Sequence, residues 1–154
     1  MVTWQLTIDA NDPGRLVEFW APVLGYEVQP PPEGHASWNE WYLSVGVSPG
    51  ELDPSRDSVD RIQDPTGAGP KIWFQIVPEE KSGKNRFHFD IYPTGRDRSL
   101  PIERRREIVE AKVAELVDRG ATVRNRSSDD GLVQYRDHYF VVMLDPEGNE
   151  FCVG

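Results

Sequence analysis

The sequence predicts an α+β protein made of two βαβββ modules, residues 1–80 and 84–154, within a single domain spanning 1–154. The modules are expected to form a curved, cup-like mixed or antiparallel sheet, with a helix packed on the outer face of each. Three observations carry this. Short segments alternate apolar and polar residues with the period of two that marks half-buried strands. Each half contains one apolar stripe at helical spacing that ends in glycine, at Gly25 and Gly120. The tetrapeptide Asp-Pro-x-Gly occurs at 64–67 and again at 145–148, ahead of the final strand of each half.

Trp4, Leu6 and Ile8 alternate with Thr3, Gln5, Thr7 and Asp9, giving a first strand. Asp12-Pro13 is a helix start, because an aspartate accepts the orphan N–H groups and proline at the first helical position loses nothing. Leu16, Phe19, Trp20, Val23 and Leu24 form the stripe of that helix. Tyr26-Glu27-Val28 begins a second strand, stopped by Pro30-Pro31-Pro32. Trp38 to Val47, rich in aromatic and β-branched residues, is expected as a third strand, and 48–70 as a long surface loop. Lys71 to Val77 alternates as the fourth. The second half opens on Asn85-Arg86-Phe87-His88-Phe89-Asp90-Ile91-Tyr92, a strict alternation. A helix from about Ile102 to Arg119 has Val109, Val113, Leu116 and Val117 on its inner side, and strands follow from Ala121, over Tyr139–Leu144 and over Asn149–Val153.

Applied to both sheets, the alternation buries Leu6, Ile8, Ile72, Phe74, Ile76, Phe87, Phe89, Ile91, Phe151 and Val153. It leaves Gln5, Thr7, Trp73, Gln75, Arg86, His88, Asp90, Glu150 and Cys152 on the opposite, open face. A histidine with Arg86 two residues before it and Asp90 two residues after it, all on one polar face, is unusual for plain solvent exposure.

The net charge of −9 argues against nucleic acid as a partner, because binding it requires a basic face. It would favour a cationic ligand. No apolar run reaches the length of about 18 residues needed for a membrane span. One cysteine excludes an internal disulfide, which suits a reducing cytoplasm, and no signal peptide is legible. Arg104-Arg105-Arg106 reads as a solvated helix start, and His35 and His138 receive no role.

Three motifs resemble the vicinal oxygen chelate superfamily, which includes glyoxalase I, extradiol dioxygenases and bleomycin-resistance proteins. They are Asp12-Pro followed by Phe19-Trp20 and Leu24-Gly25-Tyr26; Lys84-Asn85-Arg86-x-His88-x-Asp90; and Asp145-Pro-Glu-Gly-Asn-Glu-Phe-Cys-Val. The second and third look most like the glyoxalase-like subgroup. The resemblance implies a divalent metal (Zn, Ni, Mn or Fe) at positions that fall on Gln5, Gln75, His88 and Cys152. That set is degenerate, since both family carboxylates are replaced.

Two functions follow as expectations. One is a glyoxalase-like protein that binds a small organic molecule in the cup through Gln5, Thr7, Trp73, Gln75, His88, Glu150 and Cys152. Its chemistry would be of lyase or isomerase type, with His88 as base and Asp90 and Arg86 assisting. The other is a metal-free protein of the bleomycin-resistance type that sequesters a cationic drug or metabolite. The plainer readings stay open: His88 tied into the sheet, Cys152 a small buried hydrophobe, the two glutamines paired across strands. A homodimer is the expected assembly.

Overall fold

The computed structural model describes residues 3–127 and 138–154. The chain divides into two compact units, Met1–Glu79 and Glu80–Gly154. Unit 1 runs β1 (Gln5–Ala10), α1 (Pro13–Leu24), β2 (Glu27–Val28), α2 (Trp38–Ser44), β3 (Arg61–Gln63) and β4 (Lys71–Ile76). Unit 2 runs β5 (Asp90–Ile91), α3 (Ile102–Asp118), β6 (Thr122–Arg126), β7 (Val141–Leu144) and β8 (Glu150–Val153). The sheet orders are β1-β4-β3-β2 and β5-β8-β7-β6. In each, the first strand pairs in parallel with the last, and the other pairings are antiparallel. The repeat is therefore one of topology as well as of motif.

Local chemistry sets the helix ends. The Asp12 carboxylate accepts the Arg15 N–H at 3.1 Å, and Gly25 closes α1 in the left-handed conformation at φ 68°. Leu16, Val17, Phe19, Trp20 and Val23 of α1 are buried and the helix packs on β3 and β4, whose inner residues Ile62, Ile72 and Phe74 are also buried. In unit 2, Val109, Val113 and Leu116 of α3 are buried, as are Val141, Met143, Phe151 and Val153 of the sheet. Both Asp-Pro-x-Gly turns join the last two strands. Asp64 accepts N–H groups from Thr66 and Gly69, and Asp145 accepts them from Glu147 and Asn149.

Several expectations are corrected. Trp38–Val47 is not a strand: Trp38–Ser44 is a helix. Ser37 caps it by accepting the Glu40 N–H at 3.0 Å, and the Glu40 carboxylate reaches back to the Ala36 N–H at 2.7 Å. The missing third strand lies inside the presumed loop, where Ile62 of β3 is buried opposite Ile72. The strand around His88 is shorter than its alternation suggests, with only Asp90–Ile91 laddered. Asp90 pairs with Cys152, so residues before 88 would face the turn preceding β8 and have no strand to bond. Phe87 is accordingly 88% exposed rather than in the core. Ile76 is on the last rung of β4, opposite Ala10, and is 72% exposed. Val117 lies off the α3 stripe and is also exposed.

Candidate functional site

On the open face of unit 1, parallel pairing sets Gln5 beside Lys71, Thr7 beside Trp73, and Asp9 beside Gln75. Gln5 and Gln75 are thus four rungs apart, about 13 Å along the strands. Gln5 borders the Asp64–Gly67 turn, away from Gln75. In unit 2 the diagonal neighbour of His88 lies two residues beyond its rung partner, at Cys152. The same step from Gln5 leads to Trp73, which offers no metal ligand. Its indole N–H donates to Asp60 at 2.6 Å, and the Arg61 guanidinium sits 5.1 Å from its ring centroid. The four-position metal set implied by the resemblance does not fit this register.

α2 adds to the same face. Arg61, paired with Trp73 across β3 and β4, also lies over Trp38 and Trp41, at 4.7 and 5.5 Å. Tyr42 donates to the same Asp60 carboxylate. Trp73 is therefore tied into a cluster of aromatic side chains around one internal cation.

In unit 2 the expected residues do converge. Nitrogen, carboxylate oxygen and sulfur of His88, Asp90 and Cys152 all lie within 4.8 Å of one another. His88 Nε2 is 3.4 Å from Asp90 Oδ1. The parallel pairing of β5 with β8 brings them together, with the Cys152 N–H donating to the Phe89 carbonyl at 2.8 Å. Burial pushes the Cys152 thiol up, and the Asp90 charge adds to this while Lys84 opposes it. The sulfur is therefore a protonated, weak nucleophile at neutral pH. A nitrogen, oxygen and sulfur set suits zinc in kind, not Mn²⁺.

Glu150, expected to face a ligand, is 5% exposed and already engaged. It accepts from Lys84 Nζ at 2.7 Å and is in ion-pair contact with Arg124. Arg86 is exposed.

Asp90 and Cys152 also form part of the wall of a cavity of about 440 Å³ within unit 2. Tyr92, Tyr139 and Phe140 supply its aromatic surface, and Arg96, Arg98, Arg105 and His138 supply its basic groups. Tyr139 is fixed from behind, where its hydroxyl donates to Glu110 and Arg106 lies 4.7 Å from its ring centroid. Burial and that carboxylate push the phenol up to about 12. Arg126 in turn donates to Glu110 at 2.9 Å and holds its carboxyl below the usual range. None of these wall residues except Asp90 and Cys152 stands out in the sequence. Only the cluster of arginines between 96 and 106 hints at them.

The sequence matches the glyoxalase-like domain family over residues 5–154. Among solved structures, a glyoxalase/bleomycin resistance protein/dioxygenase family enzyme from Burkholderia phytofirmans PsJN is 18% identical, with a TM-score of 0.54 over 97% of this chain and 94% of that one. A hypothetical protein from S. aureus is 12% identical, with a TM-score of 0.55 over 99% and 92%. At such identities these likenesses speak for the fold alone. No curated protein matches the chain. The family match spans nearly the whole sequence and agrees with the twofold βαβββ topology. The chain belongs to the glyoxalase-like domain family.

Proposed function

We propose that this protein binds a small organic molecule against the open face of unit 2, where His88 acts as a base in a proton transfer of lyase or isomerase type. The observation that carries the reading is the convergence of His88, Asp90 and Cys152 within 4.8 Å, with Asp90 and Cys152 also on the wall of a cavity. Nε2 of His88 faces the Asp90 carboxylate, which orients the ring and leaves Nδ1 to take a proton from the bound molecule. Cys152, held protonated, shapes the floor and supplies a weak donor.

A second reading is a metal-free protein that sequesters its ligand without turnover. The absence of carboxylates at the family's metal positions favours it. Both readings place the ligand on the same residues. His88→Ala and Asp90→Asn are expected to weaken binding about tenfold or more, the cost of one charge-assisted contact. Their side chains are 44% and 47% exposed, so unfolding free energy should change by no more than about 0.5 kcal/mol. Calorimetric titration beside denaturant unfolding checks this, and unchanged affinity in both variants would make the pair structural. A retained affinity with lost turnover in His88→Ala would favour the base, and no turnover in the parent would favour sequestration.

A further inference from the structure

We propose that His88, Asp90 and Cys152 form a three-ligand zinc site confined to unit 2, and that zinc bound there switches off the base assigned to His88. This inference rests on the reading of that face as the ligand site and names a regulator of it. The metal set implied by the resemblance reaches into both units. It offers one anion at most, the Cys152 thiolate, because its other members are two glutamines and a histidine. Within unit 2 the balance differs. Asp90, two residues after His88, supplies a carboxylate, and its oxygen lies within 4.8 Å of both the imidazole nitrogen and the sulfur. A carboxylate and a thiolate together neutralise a divalent ion, and the net charge of −9 favours the approach of a cation. Thiolate and imidazole ligands suit zinc and disfavour Mn²⁺ and Mg²⁺.

The spacing is that of a coordination edge. Zinc bonds of about 2.0–2.1 Å to nitrogen and oxygen set those two ligands about 3.4 Å apart in a tetrahedron. His88 Nε2 stands 3.4 Å from Asp90 Oδ1. The register brings the sulfur to this pair, because Cys152 is the rung partner of Asp90 and its N–H donates to the Phe89 carbonyl at 2.8 Å. The His88 and Asp90 side chains are half exposed, so small rotations close the remaining distance to the sulfur. Lys84, whose charge reaches the thiol, is held by Glu150 at 2.7 Å and leaves the Asp90 carboxylate to the metal. Three protein ligands leave the fourth position to water. On binding, the Cys152 S–H bond breaks, the sulfur keeps the electron pair and bonds zinc, and the proton goes to the buffer. His88 gives its Nε2 lone pair and carries its one ring proton on Nδ1. The nitrogen that would take a proton from the bound molecule is then already protonated.

The test uses zinc and cobalt(II) chlorides with the full chain, freed of metal by a chelator and kept reduced. Calorimetric titration should show one zinc per chain with a micromolar or tighter Kd, and the heats in two buffers should show the thiol proton leaving. Cobalt(II) should give a near-ultraviolet charge-transfer band from thiolate to metal, absent in Cys152→Ser. His88→Ala, Asp90→Asn and Cys152→Ser should each weaken zinc binding at least about tenfold, the loss that even an outer partner of a metal site causes. Replacing Gln5 and Gln75 together by alanine should leave zinc binding unchanged. In nitrogen-15 NMR of the zinc-loaded chain, with the ring assigned from His88→Ala, Nδ1 should keep its proton across the neutral range. Zinc binding no tighter than millimolar, cobalt without the charge-transfer band, or an equal loss in the double glutamine variant would overturn the site. An Nδ1 that titrates with zinc bound would overturn the switch. Small-molecule titration of the metal-free chain tests the ligand site separately, so each failure is told apart from the failure of that reading.

Discussion

Replacing Trp38 with alanine is expected to destabilise the protein by about 3–5 kcal/mol, the usual cost of truncating a fully buried aromatic side chain. Trp38 is 1% exposed and holds three kinds of contact at once. Its indole N–H donates to the Gln29 carbonyl at 2.9 Å, its ring meets Trp41 edge to face at 5.4 Å, and the Arg61 guanidinium covers it. Its backbone N–H donates to Asp57 at 3.0 Å, which anchors the start of α2 to the following loop. Trp38→Phe keeps much of the volume and should recover most of the loss. On a strand, Trp38 and Trp41 would point to opposite faces and their rings could not meet as they do here. Denaturant unfolding of the two variants reads the difference, and a loss below about 1 kcal/mol in Trp38→Ala would mean that α2 does not pack as described.

Removing both cations from Glu150 is expected to cost more than removing Glu150 itself. Lys84 and Arg124 are 70% and 52% exposed, whereas the Glu150 side chain is 5% exposed. Lys84→Ala with Arg124→Ala leaves a buried carboxylate without a partner. About 3 kcal/mol is the expected loss, at the low end for such a charge because truncating two exposed side chains admits water. Glu150→Gln leaves two cations that are already solvated, and should cost about 1 kcal/mol. Adding Glu150→Gln to the double variant should restore most of its stability. A triple variant no more stable than the double would contradict this account of Glu150.

The fold was legible where one signal dominated. The stripe from Leu16 to Val23 and the glycine after it announced α1, and the paired Asp-Pro-x-Gly turns exposed the repeat. α2 was misread because Trp, Tyr and Val raise strand propensity. The stronger signal was the Ser37-x-x-Glu40 capping box, followed by Trp38, Trp41 and Tyr42 at helical spacing. β3 was hidden by its length: three residues around one buried isoleucine carry too little pattern to stand out from a polar loop. The alternation from Arg86 to Tyr92 overstated β5, because a period of two says which way side chains alternate and not whether a neighbouring strand exists to pair with.

The same limit applies to the site. His88, Asp90 and Cys152 were readable because two of them alternate on one strand and the third follows a recognisable turn. Gln75 was readable as an open-face residue but not as a non-neighbour of Gln5, since register between distant strands leaves no local trace. Glu150 shares the period of Cys152, yet its ion pairs with Lys84 and Arg124 bury it. Arg96 and Arg105 come together only through the turn at Gly95 and the start of α3, and no spacing rule joins them.

The claim that unit 2's open face holds the ligand is tested most directly at Cys152, the single cysteine of the chain. Its alkylation by iodoacetamide, followed by intact mass, reports access to that face alone. With a small-molecule probe bound at saturation, as established by titration, alkylation should slow in proportion to occupancy. His88→Ala should lose this protection together with its affinity. A saturating probe that leaves the alkylation rate unchanged would show that binding takes place elsewhere and would contradict the account.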